Sequence, residues 1–248
     1  MAVALGAFAV LPGLAVGSFL NVVAARLPER RSLIHPRSAC SACATQIAWY
    51  DNVPLLSYAL LRGRCRSCGT RISPLYPAVE LATAVLLAAC LLAFGLTLHA
   101  AAAAVFCAAL VVITATDLTH RIVPNRVVLP AAALVLVLMT AWQPSPEWAA
   151  AGLGASFFLL LVALAYPGGM GMGDVKLALL MGVALGRAVA VALPLGMLFA
   201  IVPAIFLFAR HGSGARKMAI PFAPFLALGS VVALFAGDTL IHAYTSFL

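Results

Sequence analysis

Residues 98–117 read LHAAAAAVFCAALVVITATD, a nearly unbroken apolar run that ends in an aspartate. An α-helix needs about 20 apolar residues to cross the hydrocarbon core of a bilayer. Similar runs recur along the 248 residues, which are 65% hydrophobic and only 9% charged, with a mean hydropathy of +1.11. A water-soluble fold could not bury this much apolar surface. We therefore expect an all-α integral membrane protein.

Eight apolar stretches are candidates for membrane spans, so the sequence predicts about eight transmembrane helices. The sixth stretch is short, and only Arg187 separates it from the seventh, so a re-entrant or broken helix there would lower the count to seven. The first stretch lacks a preceding basic region and a small-residue cleavage motif, and we expect it to be retained. The stretches are residues 2–25, 75–96, 98–116, 127–142, 148–166, 175–186, 188–209 and 220–247.

The basic residues predict the orientation, because Lys and Arg collect in the cytoplasmic loops of membrane proteins. With eight spans, residues 26–74, 117–126, 167–174 and 210–219 lie in the cytoplasm, both termini lie outside, and only Arg187 falls on the other side. The net charge of +8 follows from this topology. Nucleic-acid binding is not expected, because no soluble domain is long enough to present a basic face. The cytoplasmic set comprises Arg26, Arg30, Arg31, Arg37, Arg62, Arg64, Arg66, Arg71, Arg121, Arg126, Lys176, Arg210, Arg216 and Lys217.

The polar segment 26–74 contains two Cys-x-x-Cys pairs, Cys40 with Cys43 and Cys65 with Cys68, separated by 21 residues. This spacing is close to that of a four-thiolate zinc site, and a segment this short needs such a cross-link to fold. Two disulfides are the alternative, but a cytoplasmic loop lies in a reducing compartment. A redox role and unligated thiols remain lesser alternatives. The pattern therefore predicts structural Zn²⁺.

The chain accordingly divides into three parts. We expect a first transmembrane helix at residues 1–25, a cytoplasmic zinc loop at 26–74 and a transmembrane core at 75–248. Cys90 and Cys107 lie inside apolar spans, where a free cysteine behaves as a small hydrophobic residue. We expect them to be structural.

Asp117 closes the third span, and Asp174 stands at the start of the sixth, after Gly171-Met-Gly173. Ionisable groups at membrane depth are costly and are therefore candidates for function. Two carboxylates that meet can share one proton, so that one acts as an acid and the other activates water, as in aspartic proteases. The sequence thus predicts Asp117 and Asp174 as a catalytic pair for hydrolysis of a peptide bond.

A structural role for each aspartate is the alternative. Arg121 could hold Asp117 at a helix end, and Asp174 could be a helix N-cap neutralised by Lys176. A group of glycines favours function, because they would leave the helix start poorly formed and give a substrate strand room to pair. These glycines are Gly168, Gly169, Gly171 and Gly173.

Gly171-Met-Gly173-Asp174 matches the G-x-G-D signature of intramembrane aspartyl proteases, and the chain resembles the type IV prepilin peptidase family nearly from end to end. Two positions depart from the family pattern: Ala223 replaces a usual glycine, and Asn125 stands where aspartate is frequent. Besides the paired cysteines, the resemblance rests on Gly17–Asn21, Arg26–Pro28, Trp49, Asp51-Asn52, Pro54–Ser57, Leu61–Arg66, Ile72-Ser73, Tyr76-Pro77, Glu80 and Ile220–Phe225.

The resemblance implies a substrate class, namely prepilins and type II secretion pseudopilins cut at the cytoplasmic face of a bacterial inner membrane. It also implies methylation of the new N-terminal amine with S-adenosylmethionine as the methyl donor, with Gly17–Asn21 and residues 40–73 as regional candidates. Two rival functions remain open. The aspartates could relay protons in a small transporter, although no inverted repeat supports this, or the chain could be a membrane assembly factor whose zinc loop binds a partner.

Overall fold

The structure, a computed structural model, describes residues 2–166, 170–212 and 220–246. Among these residues there is no β-strand, so the expected all-α fold is confirmed. Two short 3₁₀ turns occur, at Trp49–Asn52 and Gly186–Ala188. The helices are α1 (Ala2–Arg26), α2 (Leu56–Leu60), α3 (Leu75–Phe94), α4 (Leu98–His120), α5 (Asn125–Trp142), α6 (Glu147–Ala165), α7 (Met172–Leu185), α8 (Val189–His211) and α9 (Ala223–Thr245).

By length and composition, seven segments of the described chain could cross a membrane. The expected sixth and seventh spans both fall within one of them, the 39-residue segment Met172–Arg210. Gly186 interrupts this segment with a φ of +54°. A Cβ at Gly186 would lie 2.7 Å from Glu147 Oε1, so both the backbone conformation and the space require glycine.

The chain reverses direction at this break. The starts of α7 and α9 both approach Asp117, so these two helices begin at the same end of the bundle. In contrast, α8 runs antiparallel to α9, because Ala188 faces Gly237 whereas Gly196 faces Gly229 and Leu226. Helices α7 and α8 therefore pass through the bundle in opposite directions. With α7 and α8 counted separately, eight described helices have 14 residues or more, against about eight expected spans and seven candidate spans by length and composition.

The chain forms two compact units, Met1–Leu96 and Thr97–Leu248. In the first, α1 packs against α3 along a face of small residues. A Cβ at Gly17 would lie only 2.7 Å from Glu80 Cα, and Asn21 Nδ2 donates to Tyr76 O at 3.0 Å. Small residues allow this close approach between membrane helices. The division into residues 1–25, 26–74 and 75–248 stays a prediction.

The core of the second unit is built around α4 and α7. Phe106 and Ile113 of α4, and Leu177 and Met181 of α7, are completely buried. Gly182 of α7 contacts the backbone of α6, and α7 also contacts α5 and α9. Other helices pack against both α4 and α7, and one aspartate near the end of each is buried. Asp117 and Asp174 lie at these two ends.

Candidate functional site

Asp117 lies in the last turn of α4 and is 7% exposed. The helix ends three residues later, where Arg121 adopts a φ of +54° and donates its N–H to Asp117 O at 3.0 Å. The Asp117 side chain accepts a different hydrogen bond, from Ala223 N–H to Oδ2 at 3.0 Å. Ala223 is the first residue of α9, and a helix N-terminus favours an anionic partner because its N–H groups are free. The start of α9 thus holds the Asp117 carboxylate.

Asp174 lies in the first turn of α7, is 8% exposed, and donates its own N–H to Gly171 O at 3.1 Å. Its carboxylate lies near enough to that of Asp117 for the two charges to affect each other. The structure therefore brings together the two aspartates that the sequence singled out, 57 positions apart in the chain. Their catalytic role stays a prediction.

The surroundings of the two aspartates bear on their alternative structural roles. Lys176 does not neutralise Asp174, because its Nζ donates to Asn125 Oδ1 at 2.9 Å. Gly171, not Asp174, is the N-cap of α7. Arg121 donates its backbone N–H to Asp117 O, and its guanidinium charge also acts on the Asp117 carboxylate, although the two side chains form no ion pair. The ion pairs within the described residues are Arg31–Glu29, Arg66–Asp51 and Arg187–Asp238, and they include neither aspartate of the pair.

The glycines are expected to leave the helix start poorly formed, and Gly171 precedes α7 in an extended conformation. Helix α7 begins at Met172 and includes Gly173 in a regular first turn. Gly168 and Gly169 lie outside the described residues. Gly173 serves another purpose: a Cβ there would lie 2.7 Å from Val123 Cβ, in the connection between α4 and α5. Glycine therefore lets the start of α7 approach this connection and sets the position of Asp174.

We expect Gly173→Ala to lower cleavage activity, because the added methyl group forces α7 away from Val123 and displaces Asp174 from Asp117. Misplacement by about 1 Å can cost on the order of a hundredfold in rate. Cleavage of a prepilin by the purified variant is the measurement. Val123→Gly removes the opposing Cβ, and the double variant Gly173→Ala, Val123→Gly should recover part of the loss. A double variant that is no better than Gly173→Ala would contradict the steric explanation.

Ala223 provides a direct test of the backbone donor, because proline has no N–H. Proline is tolerated at the first position of a helix, so Ala223→Pro should leave α9 formed while removing the hydrogen bond to Asp117. A hydrogen bond to a charged group contributes about 1.5–3 kcal/mol, so we expect the cleavage rate to fall by roughly tenfold or more. Ala223→Gly keeps the N–H and is the matched control. Equal activity of the two variants would show that Asp117 does not need this donor.

Sequence reasoning missed three contributions to this site. They are the backbone N–H of Ala223, the contact between Val123 and Gly173, and the hydrogen bond between Lys176 and Asn125. The residue type does not reveal a backbone donor, because every residue except proline carries a backbone N–H. Ala223 nevertheless lies in the segment Ile220–Phe225, which carries part of the family resemblance. Asn125 departs from the family pattern, and its amide oxygen accepts a hydrogen bond from Lys176, the lysine that by sequence could have neutralised Asp174.

The second candidate site is the cysteine cluster of the first unit. The Sγ atoms of Cys40, Cys43, Cys65 and Cys68 all lie within 4.8 Å of one another, and the Sγ atoms of Cys40 and Cys68 are 3.8 Å apart. A tetrahedral zinc site with Zn–S bonds of ~2.3 Å requires sulfur–sulfur distances of about 3.8 Å. No disulfide joins these cysteines, which are free thiols. The residues fit the predicted zinc ion in number, type and spacing.

The two cysteine pairs sit on turns of the same design. Cys40 N–H donates to Thr45 O at 2.9 Å, and Cys65 N–H donates to Thr70 O at 2.9 Å. An isolated antiparallel bridge closes each turn. The hydrogen-bonded backbone of each turn therefore holds its two cysteines in place. Local sequence builds each half of the site, and the packing of the loop brings the halves together.

An ion pair supports the second turn. Arg66, between Cys65 and Cys68, donates two hydrogen bonds to Asp51, from Nε to Oδ2 at 2.8 Å and from Nη2 to Oδ1 at 2.6 Å. The Arg66 guanidinium holds the pKa of the Asp51 carboxyl below its usual range. This bidentate geometry fixes the orientation of the guanidinium relative to the carboxylate as well as the distance between them. It ties the second cysteine turn to the 3₁₀ turn Trp49–Asn52.

Two family models match the chain. Residues 11–94 match the Bacterial Peptidase A24 N-terminal domain, and residues 104–237 match the Type IV leader peptidase family. The first range falls in the unit with the cysteine cluster, and the second falls in the unit with the aspartate pair. No solved structure gives a significant match.

Three relatives share the name Prepilin leader peptidase/N-methyltransferase. The protein of Bacillus subtilis (strain 168) is 37% identical over 244 residues, 94% of each chain. That of Myxococcus xanthus (strain DK1622) is 39% identical over 218 residues, 82% of this chain and 64% of its own. That of Pseudomonas aeruginosa PAO1 is 34% identical over 273 aligned positions, 96% of this chain and 92% of its own. On this evidence the chain belongs to the Type IV leader peptidase family.

Proposed function

We propose that this chain is a membrane aspartyl endopeptidase that removes the leader peptide from type IV prepilins or type II secretion pseudopilins. The observation that carries the proposal is the juxtaposition of two buried carboxylates, Asp117 and Asp174, within one helical unit. Membership in a family of leader peptidases supports the reaction class. The names of the relatives support the substrate class.

The proposed chemistry needs one proton shared between the two carboxyl groups. The ionised carboxylate takes a proton from water as the water oxygen bonds to the scissile carbonyl carbon. The protonated carboxyl donates its proton as the carbon–nitrogen bond breaks. The products are the leader with a new carboxylate and the mature protein with a new N-terminal amine. The hydrogen bond from Ala223 orients Asp117 for this exchange.

We place the reaction at the cytoplasmic face of a bacterial inner membrane. The support is the distribution of Lys and Arg, which collect in the loops on the side of Asp117 and Asp174. Two of these basic residues, Arg216 and Lys217, lie outside the described residues. The substrate leader would therefore approach from the cytoplasm while the hydrophobic segment of the substrate remains in the lipid.

A second proposed activity is N-methylation of the new amine, supported by the names of the relatives. S-adenosylmethionine would supply the methyl group: the amine nitrogen bonds to the methyl carbon, the methyl–sulfur bond breaks, and a proton leaves the nitrogen.

We propose a structural role for Zn²⁺ in the same chain. Cys40, Cys43, Cys65 and Cys68 would hold it, and the ion would stabilise the loop without taking part in hydrolysis.

Incubation of the purified protein with a prepilin in detergent tests the proposal. We expect mass spectrometry to detect a product shortened by its leader, and a methylated form once S-adenosylmethionine is added. The transporter hypothesis predicts instead proton movement in proteoliposomes without cleavage. An assembly factor would do neither. Absence of cleavage by a folded, membrane-inserted protein would contradict the proposed function.

A further inference from the structure

A cavity of about 250 Å³ opens in the first unit, where the chain leaves α1 and enters the loop. Two arginines line it, Arg26 at the end of α1 and Arg37 in the loop, together with Ser38 and Asn52. Apolar side chains, including those of Ile34 and Trp49, form the rest of the wall. None of the described residues that line the cavity is acidic. Its chemistry is therefore cationic and partly apolar.

Arg26 is the most unusual residue of this cavity because it is only 9% exposed. Its Nη1 donates to Ser32 O at 2.9 Å and its Nη2 donates to Pro36 O at 2.7 Å. These carbonyl groups provide hydrogen bonds but no negative charge, and Arg26 takes part in none of the ion pairs of the described chain. A buried charge without a counter-charge is costly. An anion in the cavity would reduce this cost.

The position of the cavity restricts which anion can reach it. Arg26 is the last residue of the first candidate membrane span, Ala9–Arg26, so the cavity lies at the boundary between lipid and water. Trp49 and Ile34 are 81% and 77% exposed beside it. Tryptophan is enriched at membrane interfaces, where its ring meets the headgroup region. Exposed apolar side chains beside two arginines are suited to an amphiphilic ligand, which has an anionic part and an apolar part.

We propose that this cavity binds the headgroup of an anionic phospholipid. Arg26 and Arg37 would meet the phosphate, Ser38 and Asn52 would hydrogen-bond the polar headgroup, and the apolar wall would contact the glycerol and upper acyl chain. Basic pockets at the membrane face commonly recognise lipid phosphate in this way. S-adenosylmethionine fits less well, because its sulfonium and ammonium groups would face two arginines and no carboxylate.

The test compares phospholipid binding by the full-length protein and two matched variants. Arg37→Gln removes the exposed arginine of the cavity, whereas Arg71→Gln removes another exposed arginine of the same loop that does not line it. Arg26 is left intact because its side chain also holds the loop backbone. Native mass spectrometry in detergent would count bound phosphatidylglycerol and phosphatidylcholine during titration. Glycerol 3-phosphate and S-adenosylmethionine serve as competitors.

We expect the wild type to retain phosphatidylglycerol in preference to phosphatidylcholine. Arg37→Gln should weaken that binding about fivefold, the effect of one basic side chain near an anionic surface, and Arg71→Gln should leave it unchanged. Equal losses in the two variants, or no preference for the anionic lipid, would overturn the proposal. Binding of glycerol 3-phosphate as tight as that of the lipid would identify a soluble phosphate site instead. Displacement of the lipid by S-adenosylmethionine would assign the cavity to the methyl donor.

Discussion

Replacing Asp117 or Asp174 with asparagine is expected to lower the rate of leader cleavage by about a hundredfold or more. In the proposed mechanism each carboxylate supplies half of the acid–base pair, and general acid–base catalysis contributes on the order of 10²–10⁴ in rate. Asparagine has nearly the same shape as aspartate and keeps an oxygen that can accept from Ala223 N–H. Membrane insertion and folding should therefore be unchanged. The measurement is the initial rate of prepilin cleavage by purified protein in detergent.

Asp238→Asn is the matched control for this experiment. Asp238 is also a carboxylate on a membrane helix, but it pairs with Arg187 at 3.1 Å, at the end of the unit away from Asp117. Its side chain is exposed, so its replacement should leave cleavage close to the wild-type rate. If Asp117→Asn or Asp174→Asn cleaved as fast as Asp238→Asn, the mechanism with two carboxylates would be wrong.

The second large effect concerns the cysteine cluster. Changing any one of Cys40, Cys43, Cys65 and Cys68 to serine should lower the zinc content from about one ion per chain and make the loop sensitive to proteases. Structural zinc contributes folding free energy directly, on the order of 10 kcal/mol in small zinc domains. The aspartate pair belongs to the other unit. If the loop forms the methyl-donor site, methylation should therefore fall more than cleavage.

Elemental analysis of purified protein, with limited proteolysis and assays of both activities, checks this prediction. Cys90→Ala is the control, because Cys90 is buried in α3 and is not part of the cluster. It should leave the zinc content unchanged. Wild-type protein that lacks metal but has a protease-resistant loop would defeat the zinc assignment. Cysteines joined as disulfides in freshly prepared membranes would defeat both the zinc assignment and the cytoplasmic placement of the loop.

Several features could be predicted from the sequence because they depend on local composition. Runs such as 98–116 form helices because lipid provides no partner for a free backbone N–H or C=O, so any chain that crosses it must satisfy these groups internally. The cysteine turns were predictable for a similar reason, since each Cys-x-x-Cys pair is built by short-range hydrogen bonds. Asp117 and Asp174 stood out because charges are rare in apolar segments.

What the sequence determined by itself, then, is the all-α membrane class, the four thiols and the two candidate carboxylates. The tertiary structure alone decided which groups surround them. Lys176 could reach Asp174 by sequence distance, but the packing of α5 beside α7 gives it Asn125 instead. Ala223 became the partner of Asp117 because α9 begins beside the end of α4, 106 residues later in the chain. Such contacts arise from helix packing between segments far apart in sequence, and residue type at either position does not encode them.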